Sequence, residues 1–259
     1  MYIILAYNMS TANNNHIITR YLVATLGLFL VGFGVALTII ANLGTAPLSC
    51  VAYVFNLRFP SVSVGTFILA VNMVYMLVQI LVLRKRFKMR YLMQIPASVL
   101  FSYLVDLSLW LMAWLHPEGV LPRMVLTLLA GGITAVGVSL EVLSDAWMLS
   151  AEMTVSSIAE VSGRKFDNVK IAMDTLMVVI AGALAWIFFG TPFGAGEFHS
   201  AADVMLSRAP GVVIGLGTLI MAFLPGFLMR FVQPVMGRFY GTGRKERLPC
   251  PRRISFPCL

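Results

Sequence analysis

Long apolar runs alternate with short polar or basic breaks along most of the chain. A bilayer core about 30 Å thick needs about 20 apolar helical residues to cross it. Six stretches meet that length: 21–41, 65–83, 91–115, 123–144, 168–189 and 212–234. Two further stretches, 46–57 and 147–161, follow a helical pattern but are too short or too polar to span. The predicted fold class is an all-α, polytopic membrane helix bundle of about six spans with short broken or amphipathic helices. Trp110 and Trp114 fall where the third span should leave the membrane, as an interfacial aromatic belt requires. Pro225-Gly226 predicts a kink in the sixth span. The Gly211-to-Gly215 spacing fits a helix-packing GxxxG pattern.

Composition removes the competing classes. Of 259 residues, 59% are hydrophobic and only 12% charged, with a mean hydropathy of +0.88. A soluble domain carries about twice that share of charge. Three cysteines exclude a disulfide scaffold; Cys50 falls in or near the membrane, Cys250 and Cys258 in a basic tail. The first 19 residues contain no Lys or Arg and end in Asn13-Asn14-Asn15-His16, so they do not form a signal peptide.

The net charge of +8 is placed for topology rather than for nucleic acid. Arg84, Lys85, Arg86, Lys88 and Arg90 fill one short loop, and Arg238, Arg244, Lys245, Arg247, Arg252 and Arg253 crowd the tail. Both flank apolar segments, where Lys and Arg mark the cytoplasmic face. This orientation puts both termini in the cytoplasm of a cell inner membrane. The loops it assigns outside, 42–64, 116–122 and 190–211, carry few charges of mixed sign.

Gly34-Val35-Ala36-Leu37 recurs 103 residues later as Gly137-Val138-Ser139-Leu140. The same offset aligns Thr38 with Glu141, Asn42 with Asp145 and Pro47 with Ser150. After a one-residue gap, Asn72 aligns with Asp174, and after an insertion near 190–211, Asp106 aligns with Arg230. Three spans per copy is an odd number, so the second copy is expected upside down. Inverted repeats recur in secondary transporters, with a site at the repeat interface built from broken helices. The expected organisation is a polar segment 1–19, repeats over 20–115 and 116–240, and a basic tail 241–259.

Ala41-Asn42-Leu43-Gly44-Thr45-Ala46-Pro47-Leu48-Ser49, followed by Ser63-Val64-Gly65-Thr66, resembles the YczE/YyaS/YitT-like family of bacterial inner-membrane proteins. Glu141-Val142 through Asp145, and Gly163-Arg164-Lys165-Phe166 before Val169-Lys170 and Asp174, extend the likeness over about 22–240. Trp147 to Glu152 departs from the expected Gly-rich phrasing, and the loop with His199 and Asp203 looks longer. The resemblance implies a multi-spanning membrane protein without a defined activity.

Charges within a membrane cost about 2.5–3.5 kcal/mol at a helix centre, which reserves them for pairing or function. Glu141, Asp145, Glu152 and Asp174 are the candidate acids, with Asp106 behind them. Glu141 and Asp145, four apart, share a helix face; such a pair suits a proton relay or a cation site, or lies solvated at headgroup level. Lys170 and Asp174 are likewise four apart, either a neutralising ion pair or a counter-ion that substrate releases. Glu152, Ser156 and Glu160 line one face of 147–161 opposite Met153, Ile158 and Val161, and that helix lies on the surface or dips back in. Asn42, Gly44, Thr45 and Pro47 form the uncharged counterpart. There Thr45 is the expected N-cap, Pro47 stands in the first turn, and free N–H groups from Gly44 to Leu48 would hold an anionic group.

His16, His116 and His199 have no metal-ligand spacing, and no P-loop, dinucleotide fingerprint or HExxH occurs, so neither metal, cofactor nor enzymatic activity is expected. The leading expectation is a small-molecule secondary transporter, with proton coupling one option and an organic cation or zwitterion as substrate. The alternative is a non-transporting accessory or regulatory protein that partners another complex. Lipid is the expected surrounding in either case.

Overall fold

The computed structural model describes residues 17–84, 89–144, 149–164, 166–195 and 211–239. Asp145, Arg86 and its basic neighbours Lys85 and Lys88, His199, Asp203 and the tail from 240 lie outside the described residues, as do residues 1–16. Eight α-helices are found among the described residues: α1 Ile17–Ala41, α2 Pro47–Arg58, α3 Val64–Leu83, α4 Gln94–Leu111, α5 Val120–Ser144, α6 Ser150–Ser162, α7 Phe166–Phe189 and α8 Leu216–Phe239. A 3-10 turn, Met89–Met93, leads into α4. The described residues contain no strand, only an isolated bridge between Gly194 and Val212.

The protein is an integral membrane protein, and its exposure pattern gives the physical reason. Leu22, Leu81, Trp186, Ile187, Phe223 and Phe231 point outward, whereas Thr38, Asn72, Gln79, Ser98 and Glu141 are buried. That inversion of the soluble pattern suits a lipid solvent. Five helices, within α1, α3, α4, α5 and α7, are long and apolar enough to cross a membrane. In α8 the apolar stretch runs over Leu216–Met229. Trp110 and Trp114 are 75% and 76% exposed at the end of α4, where the aromatic belt was expected.

Some boundaries differ from the sequence reading. The third span ends at Leu111, three residues before Trp114, because a turn follows. The sixth begins at Leu216, so Gly211 and Gly215 lie outside any helix and do not form a GxxxG face. Gly211 has φ +80°, which no helix accommodates. α8 runs unbroken through Pro225-Gly226.

α1 and α5 form the centre and run antiparallel. A Cβ on Gly34 would strike Thr134 and the Ala130 carbonyl; a Cβ on Gly137 would strike Val31 and the Gly27 carbonyl. Small residues let the two backbones approach this closely. Around this pair, α4 packs on α1 and α8 packs on α5. The short helices cross over: α2 packs on α7, and α6 packs on α3. α3 also packs on α4, while α7 and α8 make no comparable contact among the described residues.

Candidate functional site

Both short helices start about halfway along their long partners. Thr154 Oγ1 donates to the Tyr75 carbonyl at 2.9 Å, and Gln79 Nε2 donates to Ser157 Oγ at 3.3 Å, so α6 runs parallel to the second half of α3. At the other end, the rings of Phe55 and Phe59 meet Phe188 at 5.9 and 6.4 Å. At 1.5 Å per residue, Pro47 then lies about 12 Å back from the level of Phe55, near the middle of α7.

The first break, between α1 and α2, is filled. Asn42 Oδ1 accepts from Val212 N–H at 2.8 Å, Thr45 N–H donates to the Val213 carbonyl at 3.0 Å, and Gly217 N–H donates to the Leu43 carbonyl at 2.8 Å. Asn42 and Gly44 adopt φ of +53° and +114°, the left-handed turn that lets the chain reverse here. Thr218 Oγ1 and Gly215 N–H lie where a Gly44 side chain would be. Pro47 takes the first helical position as expected. Thr45 is not the N-cap: Ala46 holds that place without a side-chain bond, and Thr45 Oγ1 turns to Cys50 Sγ at 3.2 Å. The backbone N–H of Thr45 is already engaged and Val212 to Gly217 bond Asn42 and Leu43, so this part of the junction is a packed clamp.

The acidic side is different. Glu141 is wholly buried, and among the described residues neither carboxylate oxygen has a hydrogen-bond partner. Its stem lies against α1, where a Cβ on Gly27 would stand 3.0 Å from Glu141 Cγ. Thr38, its counterpart by the 103-residue offset, is equally buried but satisfied, donating to the Val35 carbonyl at 2.7 Å. Glu152, in the first turn of α6, keeps Oε2 buried and unpaired. Glu141 and Glu152 act on each other electrostatically, and Glu152 lies in the field of both Lys170 and Asp174. Lys170 and Asp174 form the expected ion pair at 3.1 Å, with side chains 34% and 17% exposed. Exposure therefore falls from Lys170 inward to Glu141. Arg20 Nε donates to the Ser144 carbonyl at 2.8 Å, tying the start of α1 to the end of α5 beside this line.

α6 does not bury the face its amphipathic pattern suggests. Val161 is half exposed, while Ser150, Thr154, Ser156 and Ser157 are buried. Hydroxyl-bearing residues are compact and can bond their own helix carbonyls, as Thr154 and Ser157 do, which suits close packing on α3. Gly163, at φ +65°, ends the helix in a left-handed cap.

Two groups have roles that were not read from the sequence, although Asp106 and Asn72 were both singled out there. Asp106 Oδ1 accepts from Gly65 N–H at 2.8 Å, capping the start of α3 from α4. Ser63 caps the same turn through Thr66 N–H. The second group is a layer of carboxamides on α3 and α4: Asn72, Gln79 and Gln94 are all at least 95% buried, with Asn72 Oδ1, Gln79 Oε1 and both polar atoms of Gln94 unpartnered. For Gln79 and Gln94 the signal in the sequence was an amide within an apolar run; Asn72 also aligns with Asp174 in the repeat. Among the described residues no three His, Cys, Asp or Glu side chains group as metal ligands.

The sequence profile of the family of unknown function DUF6198 matches residues 18–234. No curated protein and no solved structure matches the chain. The match spans every described helix except the last turns of α8, and the chain belongs to that family.

Proposed function

For this member of a family without an assigned activity, we propose a small secondary transporter made of two inverted repeats, coupled through Glu141. One observation carries the reading: a carboxyl group buried without a partner on the α1–α5 crossing at the centre of the bundle. A charge so placed is costly in lipid, and its usual occupants are a proton or a cation. The repeat reading draws support from the packing. Exchanging α1 to α4 with α5 to α8 carries the α1–α4, α2–α3 and α2–α7 contacts onto α5–α8, α6–α7 and α6–α3. It also carries the Gly34 contacts with Ala130 and Thr134 onto those of Gly137 with Gly27 and Val31. Two antiparallel first helices are what an upside-down second copy requires.

In this mechanism Lys170 is the movable counter-ion. It bonds Asp174 at rest and shifts toward Glu152 when the acid pair ionises; a proton or a cationic substrate at Glu141 and Glu152 returns it. Asp145, four residues beyond Glu141 in the sequence, is the second acid proposed for the relay. With Asn42, Gly44, Thr45 and Pro47 held in a clamp, the substrate side of the reading rests on the acids, which favour an organic cation over an anion. The membrane is the inner one, with both termini in the cytoplasm, on the basic loop and tail.

Purified protein in proteoliposomes with an imposed pH gradient tests this. Accumulation of at least one organic cation is expected, abolished by Glu141→Gln with Asp145→Asn. Gradient-dependent uptake unchanged in that double variant removes the proposal.

A further inference from the structure

We propose that Asn72, Gln79 and Gln94 form a binding site between α3, α4 and α6 for a small uncharged solute rich in N–H or O–H donors. The inference goes beyond the transport reading: it adds an uncharged solute to the proposed organic cation, and rests on that reading only for a route across the membrane.

Three helices meet here. α6 is joined to α3 by the Thr154–Tyr75 and Gln79–Ser157 bonds, and to α4 by Ser98 and Ser150, whose hydroxyls lie 3.3 Å apart. α3 and α4 run antiparallel, with Gly65 level with Ser102 and Asp106. Carrying that register along at one residue per 1.5 Å puts Asn72 level with Ser98. Gln94, one turn from Ser98 on the same face, then falls between the levels of Asn72 and Gln79. The three amides therefore line one junction, about two turns deep, and all three are buried.

The unpartnered atoms define the ligand. Three are amide oxygens, which only accept, and one is the Gln94 Nε2, which only donates. A buried amide left without a partner is destabilising, so three together call for an occupant that bonds them. The occupant must offer about three donors and at least one acceptor. None of the side chains that bond across this junction is charged, although Glu152 stands on α6 between Ser150 and Thr154, and an anion meets acceptor oxygens. A urea, a primary amide or a small polyol satisfies the set.

Full-length protein in liposomes is tested by light scattering with urea, acetamide and glycerol, and by tracer uptake with guanidinium as the cationic match for urea. Protein-dependent flux of at least one neutral solute is expected. It should fall at least tenfold in Gln79→Met and Gln94→Met while guanidinium uptake, which the acids serve, holds. Tm should stay level or rise in Gln94→Met, whose amide has no partner among the described residues, and drop slightly in Gln79→Met, which gives up its bond to Ser157. Should those variants misfold, Gln94→Glu keeps the shape and should cut neutral flux similarly. Absence of protein-dependent flux for all three neutral solutes, or neutral flux unchanged in the folded variants, overturns the site. Amide-dependent downhill flux without any response to pH or to Glu141→Gln leaves the site standing and overturns only the coupling at Glu141.

Discussion

Gly27 and Gly137 face each other backbone to backbone where α1 crosses α5. A Cβ added to either would sit 2.8 Å from the other's carbonyl oxygen. The crossing is therefore set by two missing side chains, and Glu141 occupies the neighbouring space because Gly27 leaves it open.

Replacing Gly137 with alanine should push the pair apart. Overpacking of this kind costs about 1–3 kcal/mol. The expected outcome is a lower Tm in detergent for Gly27→Ala and Gly137→Ala, whereas Gly132→Ala, with nothing within 4 Å, should match the parent protein.

Glu141→Gln should separate stability from activity. Taking a potential charge out of a site without partners relieves a desolvation cost, so Tm should stay level or rise. Uptake driven by a pH gradient should fall at least tenfold in the same variant. A loss of both would mark Glu141 as a structural residue.

Asp106 makes a different prediction. Loss of its bond to Gly65 N–H leaves the first turn of α3 short of an acceptor, and caps of this kind are worth about 1 kcal/mol. Asp106→Ala should lower Tm, and Asp106→Asn, which keeps an oxygen acceptor, should recover most of the loss. Thermal unfolding of the two variants side by side distinguishes them.

The clamp at Asn42 is open to the same approach. Asn42 has φ +53° and accepts from Val212 N–H, so Asn42→Ala removes the bond at a backbone angle that alanine tolerates poorly. The combined cost is about 1–3 kcal/mol. A cysteine at Val213, fully buried in the parent, should become reactive to a maleimide in that background and remain protected with Asn42 intact.

Much of this architecture was legible in the chain. Runs of about 20 apolar residues marked the spans, because a helix is the only open-ended structure that satisfies its own backbone in lipid. The Lys170–Asp174 pair could be read from i,i+4 spacing, since both partners belong to one helix. Linear spacing could not say which long helix each short helix would choose, nor that Val212 to Thr218 would fold into the α1–α2 break and use up its polar groups. Those choices depend on contacts between residues more than 160 positions apart. The same holds for Asn72, Gln79 and Gln94: each amide alone is an unremarkable polar residue in an apolar helix. What distinguishes them is burial without partners where three helices converge, a property that exists only once α6 has inserted between α3 and its surroundings.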